Sequence, residues 1–180
     1  NDVGVPATNK SRFEITHKDQ DSFILYSRSY LQINCKIVKA DGTDIAGGDA
    51  VALQNNGWSI FERAQLLIDN QVCEEVLHPG VSSTMNALAN WSQDYANTSG
   101  SNMGFFKDDG DGAADVATNS GFASRKTLAN ASNSMCLYLP LKHAFGFAQD
   151  VDKITKGLRY SLVLNRNSAG NILHAAAGAP

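Results

Sequence analysis

The clearest pattern in the chain is an alternation of apolar and polar residues, which is the period of a β-strand with one buried face. In one such stretch, Leu31, Ile33 and Cys35 alternate with polar neighbours. Phe23–Tyr26 is apolar on both sides and predicts a strand that is at least partly covered on both faces. The stretches that alternate are 31–37, 64–69, 135–141 and 158–165.

Turn-forming residues separate these stretches. Asp41-Gly42 and Asp69-Asn70 are pairs that tolerate the backbone of a tight hairpin. Asn55-Asn56-Gly57 predicts another turn, and His78-Pro79-Gly80 interrupts the strand pattern. The arrangement predicts about seven strands before Asn165. An eighth, closing strand would be either the weak stretch 171–176 or a segment outside this chain.

One segment has the period of a helix. Val81, Met85, Leu88, Trp91 and Tyr95 recur at spacings of three and four residues. The pattern predicts a single short helix whose apolar face packs across an open end of the β-structure. Either Ser82 or Ser83, near its start, could cap it.

Residues 96–134 have a different composition, with five glycines and only Val116 and Leu128 among the branched aliphatic residues. Such a segment predicts a long irregular surface loop, which Phe105-Phe106 would pin to the body. The whole chain, 1–180, is therefore predicted to be one domain. Its predicted class is an all-β jelly-roll sandwich with one short helix and a long loop insertion.

Charge and composition exclude several classes of protein. The formal net charge is −3, which argues against direct electrostatic binding of nucleic acid. No apolar run approaches the length of a membrane span. The first residues lack the features of a signal peptide, so secretion by that route is not expected. The three cysteines, Cys35, Cys73 and Cys136, are widely separated and predict buried free thiols in a reducing compartment.

Acidic residues around position 110 suggest a cation site, but their spacing fails the EF-hand rule for oxygen, glycine and glutamate positions. A looser site remains open, and it would use Asp108, Asp109, Asp111 and Asp115. No catalytic, cofactor or metal residue is assigned on the sequence.

The histidines and tryptophans do not indicate an enzyme. The four histidines lie far apart, without the His-x-His cluster of a cupin enzyme. His143 is predicted to be a hydrogen-bonded packing residue beside Phe145. Trp58 and Trp91 lie in apolar stretches and are predicted to pack in the core. No nucleophile elbow or phosphate loop occurs.

Several segments, in their order along the chain, together match the pattern of a known family. They are the strand Tyr30–Val38 with Asp41-Gly42, the Asn-rich turn and Ser-Ile-Phe of 55–61, the strand and turn of 66–72, the helix 80–94 with Trp91-x-x-Asp94, Gly121-Phe122 with Arg125, Leu139–His143 with Phe145, and the strand 156–166. This series, covering about 13–173, resembles the double jelly-roll, hexon-like major capsid proteins of adintoviruses, Polinton/Maverick elements and related DNA viruses. Gln71 stands where the family has a glycine.

The resemblance implies a structural role in a virion and no catalytic residue. Three chains would form a pseudo-hexagonal capsomer, assembled inside the host cell into an icosahedral shell. The implied partners are copies of the chain and other capsid proteins, and contact with an internal membrane or minor capsid proteins is also compatible with it. The alternative is a lectin-like or receptor-binding jelly-roll module, which would show an exposed aromatic side chain near carboxamides. A cupin-type enzyme is the third reading, against which the missing histidine cluster argues.

Overall fold

The computed structural model describes residues 11–17, 19, 21–39, 41–45, 51–109, 119–130 and 134–175. The strands are β1 (Arg12–His17), β2 (Phe23–Leu25), β3 (Tyr30–Cys35), β4 (Val51–Leu53), β5 (Phe61–Ile68), β6 (Gln71–Leu77), β7 (Met135–Pro140), β8 (Ile154–Lys156), β9 (Tyr160–Arg166) and β10 (Leu173–Ala175). The α-helices are α1 (Pro79–Asn90), α2 (Gln93–Tyr95), α3 (Ser120–Asn130), α4 (Gly146–Asp150) and α5 (Ala169–Ile172). Short 3-10 or π turns occur at Tyr26–Arg28, Gly57–Ile60, Ala96–Gly100 and Leu141–His143.

Every strand pairing among the described residues is antiparallel. One sheet has four strands in the order β1-β9-β5-β6, and three two-stranded sheets consist of β2-β8, β3-β7 and β4-β10. The architecture is therefore mostly antiparallel β-structure with short helices, as the alternating pattern predicts. A strand does form within the weak stretch 171–176, where β10 pairs with β4.

The pairings between early and late strands are nested. β1 pairs with β9, β2 with β8 and β3 with β7, so the first three strands meet three late strands in reverse order. The segments 12–35 and 135–166 thus run antiparallel alongside each other. In the chain between these two segments, β5 and β6 form a hairpin, and β5 also pairs with β9.

The ribbon of β3 and β7 follows the predicted alternation. Leu137 and Leu139 are completely buried, whereas Tyr138 between them points outward. Tyr30 and Gln32 on β3 are likewise exposed, while the residues between them are partly buried. The period of two therefore correctly assigns the faces of both strands.

Strand β9 differs from the expected pattern of one buried face. Residues 160–164 are all buried, including Ser161 and Val163 on the face expected to be polar. The strand lies between β1 and β5 in the sheet, and side chains on both of its faces are covered. Leu158, predicted as its first residue, lies outside the strand and is exposed.

The predicted turns form where the backbone requires unusual dihedral angles. Asp69 and Asn70 both have positive φ, 49° and 66°, which is the geometry of a tight hairpin turn between β5 and β6. Asp and Asn tolerate this conformation better than other residues with side chains. Because Asp69 and Asn70 take both left-handed positions of the turn, Gln71 does not have to be a glycine and is the first residue of β6.

Helix α1 confirms a helix in the predicted segment, but it ends at Asn90, so Trp91 and Tyr95 lie beyond it, and its orientation differs from the prediction. Val81, Met85 and Leu88 face solvent, and the buried residues of the helix are Pro79, Gly80, Ser83 and Ala87. The predicted serine cap is also wrong. The helix begins at Pro79 after His78 in a left-handed conformation, without a side-chain cap, and both serines lie inside it.

The described part of the segment 96–134 is not the irregular surface loop that its composition predicts. It contains helix α3, so the prediction of a single short helix is wrong. Met103, Phe105 and Phe122 are buried there, and Phe105 packs against Trp91 as an anchor. Asn119 caps α3 by accepting a bond from the Phe122 amide, at 3.0 Å. Residues 110–118 and 131–133 lie outside the described part.

The three cysteines are free thiols, but the prediction that all are buried is wrong. Cys73 and Cys136 are exposed, and only Cys35 is partly buried. Cys136 pairs with Asn34, the residue before Cys35, so the two thiols lie on opposite faces of the β3-β7 ribbon. Burial is the main cause that raises the pKa of the Cys35 thiol to about 11.

Candidate interaction surfaces

The outer face of α1 carries a stripe of large apolar side chains. Val81, Met85 and Leu88, hereafter the α1 stripe, are 54%, 67% and 57% exposed. At 100° per residue, the three lie within roughly 60° of one another around the helix and span roughly 10 Å along it. The sequence of α1 contains no charged residue. An exposed helix face is normally rich in charge, so this surface is unusual.

The inner face of α1 consists of small residues that allow a close approach. A Cβ atom on Gly80 would lie 2.6 Å from both the backbone nitrogen and the Cα of Ser59. Ser83 and Ala87 complete this buried face. The helix therefore sits directly on the turn Gly57–Ile60, and no large side chain fits between them.

Asn56 fastens the helix to that turn. It is completely buried, and its Nδ2 donates to Ser83 Oγ at 3.1 Å and to Thr84 Oγ1 at 2.9 Å. Its Oδ1 accepts a bond from the Trp58 amide at 2.8 Å. This network fixes the rotation of α1, so the direction of the stripe is set by the fold.

A second unusual surface lies on the outside of the β3-β7 ribbon, hereafter the β3-β7 outer face. Tyr30 and Tyr138 are 58% and 40% exposed, and their rings pack edge to face with centroids 5.6 Å apart. Gln32 lies beside them and donates to Cys136 Sγ at 3.4 Å, and Asn34 is exposed on the same face. The surface thus combines aromatic rings with carboxamides, a combination that the strand pattern places together on one face.

The predicted packing roles of His143 and Trp58 are confirmed, whereas Trp91 is only partly buried and packs against the core from outside. His143 Nε2 lies 2.9 Å from the Tyr95 hydroxyl, and its ring packs against Trp91. Burial, with a smaller contribution from Lys142, lowers the pKa of His143 to about 4, so it is neutral at pH 7. Trp58 is completely buried.

Two of the acidic residues near position 110, Asp108 and Asp109, accept hydrogen bonds from residues of α3. Asp108 accepts a bond from Arg125 at 2.7 Å, and Asp109 accepts from the Ser120 amide and hydroxyl at 2.5 and 2.7 Å. The other two candidates for a cation site, Asp111 and Asp115, lie outside the described residues. Within the described ranges, no group of three or more His, Cys, Asp or Glu side chains could hold a metal ion.

A shallow cleft of about 170 Å³ lies beside the start of α1. Its volume is below the roughly 300–1,000 Å³ of typical small-molecule pockets. No Asp, Glu, Lys or Arg side chain is among the residues that line it. Its lining residues are Gln54, Asn55, Ser59, Phe61, His78, Gly80, Val81 and Asn167. The two surfaces described above are therefore stronger candidates for a binding role.

Comparison with protein-family models, curated proteins and solved structures gave no match in any of the three. Among the helices of the described segments, none is both long and apolar enough to cross a membrane.

Proposed function

We propose that this chain is a structural capsid protein, a jelly-roll building block that assembles into trimeric, pseudo-hexagonal capsomers of an icosahedral shell. The observation that carries the proposal is the nested pairing of β1-β9, β2-β8 and β3-β7. A jelly roll is built in this way, because a long antiparallel hairpin folds over so that early strands pair with late ones. The domain is the single one predicted for 1–180.

Segments that carry the resemblance to the double jelly-roll capsid proteins occupy defined places in this arrangement. The strand 30–38 contains β3, which pairs with β7, and the later segment 139–145 begins with the last two residues of β7. The turn Asp69-Asn70 joins β5 to β6, and α1 begins at Pro79 of the break His78-Pro79. Local motifs and long-range pairing thus favour the same architecture.

Assembly requires surfaces that bury apolar area between subunits, and the α1 stripe and the β3-β7 outer face are suited to this. The α1 stripe is apolar and uncharged, and the β3-β7 outer face is aromatic. Tyrosine and methionine are enriched at the cores of protein interfaces, which are depleted of charge. Scattered single apolar residues would not support this argument, but grouped ones do.

The proposal places the chain in the virion, with copies of itself and other capsid proteins as partners. Direct binding of nucleic acid is not part of it, since the net charge is −3. Contact with minor capsid proteins or an internal membrane would occur through surfaces of the assembled shell.

The test is the assembly state of the purified chain. We expect sedimentation velocity over a concentration series to show trimers or larger particles, and negative-stain microscopy to show pseudo-hexagonal objects. A chain that sediments as a monomer throughout the series, in a buffer where circular dichroism shows it folded, would contradict the proposal.

A lectin-like module is a second candidate, and the β3-β7 outer face favours it. Exposed aromatic rings stack on the apolar faces of sugars, and carboxamides bond to sugar hydroxyls. The expected result is glycan-array binding that Tyr30→Ala or Tyr138→Ala abolishes. Phe23→Ala is the matched control, because Phe23 is an exposed aromatic on β2 outside this face. An array without specific binding would remove this candidate.

A further inference from the structure

We propose that the α1 stripe is a two-fold contact, at which a second copy of this chain docks its own α1 antiparallel to the first. The inference rests on the proposed function in one respect, that copies of the chain meet, and it adds where and with what symmetry they do so.

The first observation is the grouping of the side chains. Val81, Met85 and Leu88 are separated by four and then three residues, the spacing of one seam of a helix pair. Each is more than half exposed, although together they form the most apolar face of the helix. Side chains on such a seam are normally covered by a partner helix.

The second observation is that α1 cannot turn this face inward. Gly80 contacts the Ser59 backbone so closely that rotation would bring a larger side chain into that space. Rotation would also break the bonds from Asn56 to Ser83 and Thr84. The stripe is therefore held rigidly outward, and a partner that binds it would not have to order it first.

The charge distribution selects the occupant. All twelve residues of α1 are uncharged, so an identical helix meets no like-charge repulsion at this place although each chain carries −3 overall. Binding to a membrane surface favours Lys and Arg around the apolar face, and a charged peptide would need opposite charges there. A second α1 has the apolar and uncharged character that this surface matches.

Two-fold symmetry also fits the order of the side chains. With the axis close to Met85, Val81 of each copy lies within roughly 1.5 Å, one residue rise, of the level of Leu88 of the other, and the two Met85 side chains meet. A small branched side chain thus faces a larger one at both ends of the seam. Methionine at the centre adapts its shape to its own copy.

A cysteine at the axis tests the symmetry directly. In a background with Cys73→Ser and Cys136→Ser, only the partly buried Cys35 remains. Met85→Cys in this background is expected to form a disulfide-linked dimer under mild oxidation, because residue 85 meets its own copy. Asn90→Cys is the matched control, since Asn90 is exposed on the same helix but lies roughly 140° away from residue 85. It should remain unlinked.

Sedimentation supplies a second measurement that needs no cysteine. Met85→Glu and Leu88→Glu are each expected to weaken dimerisation at least roughly ten-fold by placing like charges at the seam. Val72→Glu, at an exposed apolar position on β6, should leave it unchanged. Circular dichroism of each variant checks that the fold is retained.

The outcomes separate this inference from the proposed function. Equal cross-linking of the Met85→Cys and Asn90→Cys proteins would overturn the two-fold contact. So would trimers or particles that form normally while Met85→Cys stays unlinked and Met85→Glu has no effect, and the capsid proposal would then stand. A folded monomer at every concentration, without cross-links, would overturn both.

Discussion

Strand β7 and helix α1 both carry regularly spaced apolar residues, yet the two regions bury them oppositely. Leu139 on β7 is completely buried, whereas Leu88 on α1 is mostly exposed. The periodic pattern groups residues on one face in both cases. It does not say which face the rest of the protein covers, and for α1 that is decided by the small residues opposite the stripe.

The local packing explains the difference. On the inner side of β7, Leu137 and Leu139 contact the turn that begins at Gly57, where a Cβ atom would lie 2.6 Å from Leu139 Cδ2. The same turn receives α1 on its other side, through Gly80. The turn therefore meets large side chains from the strand and small ones from the helix.

The comparison is tested most strongly by the same truncation in both regions. Leu139→Ala should lower the free energy of unfolding by about 3 kcal/mol, because it removes a fully buried side chain and leaves a cavity. Leu88→Ala should change it by less than about 0.5 kcal/mol in the monomer. Urea denaturation at low protein concentration measures both. A loss of similar size for the two variants would show that the α1 stripe is buried in the monomer.

The next largest effect on the free energy of unfolding is expected at Asn56, which bonds to the inner side of α1. Asn56→Ala should cost about 2 kcal/mol, because the Trp58 amide and two hydroxyls lose a buried partner. Asn90→Ala is the control. Asn90 also bonds through its side chain, to Asn86 Oδ1 at 2.6 Å, but on the exposed surface. Thermal or urea unfolding should separate the two variants, and equal losses would argue against Asn56 as the anchor.

A smaller effect on the free energy of unfolding is expected at Gly80, where α1 approaches Ser59 most closely. Gly80→Ala should destabilise the protein by about 1.5 kcal/mol, since an overpacking cost near the upper end of about 1–3 kcal/mol is only partly offset by a gain of about 1 kcal/mol in helix propensity. Ser82→Ala, on the exposed side of the first turns, should be neutral or slightly stabilising. A Gly80→Ala protein more stable than the wild type would mean that α1 can shift away from Ser59.

The sequence predicts the parts of the fold in which local preference and long-range packing agree. Strands β3 and β7, the turn at Asp69-Asn70 and the existence of α1 all belong to this group. Strand β1 was missed, because its side chains are mostly exposed or half-buried and its strand form depends on pairing with β9. The residues of β1 and their neighbours in sequence do not indicate that this pairing forms.

Helix α3 and the two candidate surfaces could not be derived from periodicity alone. Helix α3 has few aliphatic residues and is held by the Asn119 cap and by Arg125, which donates to the Phe106 carbonyl at 2.6 Å. Asn119 directly precedes α3 and is a local cap signal, whereas the Phe106 carbonyl comes close to Arg125 only in the folded chain. For the α1 stripe a sequence signal existed, namely the uncharged helix with Gly80, Ser83 and Ala87 opposite the large side chains.

The two compared regions are linked where His143, in the turn after β7, contacts Tyr95, the last residue of α2, which is the short helix that follows α1. Burial lowers the pKa of His143 from 6.5 to about 4, so between these values the unfolded chain binds a proton that the native protein does not. The stabilisation from this site is therefore complete above about pH 6.5 and is lost as the pH falls toward 4.

A shift of this size corresponds to about 3 kcal/mol at 1.36 kcal/mol per pKa unit, and solvent screening of this partly exposed ring reduces it to about 1 kcal/mol. Replacing the ring by a neutral side chain removes the titration, so His143→Gln should lose about 1 kcal/mol less than the wild type between pH 7 and pH 4.5. Urea denaturation at both values measures the difference, in which the carboxylates common to both proteins cancel. An identical pH dependence in the two proteins would mean that His143 is as accessible to protons in the native state as in the unfolded one. The contact between the end of β7 and the helical segment would then be open in solution.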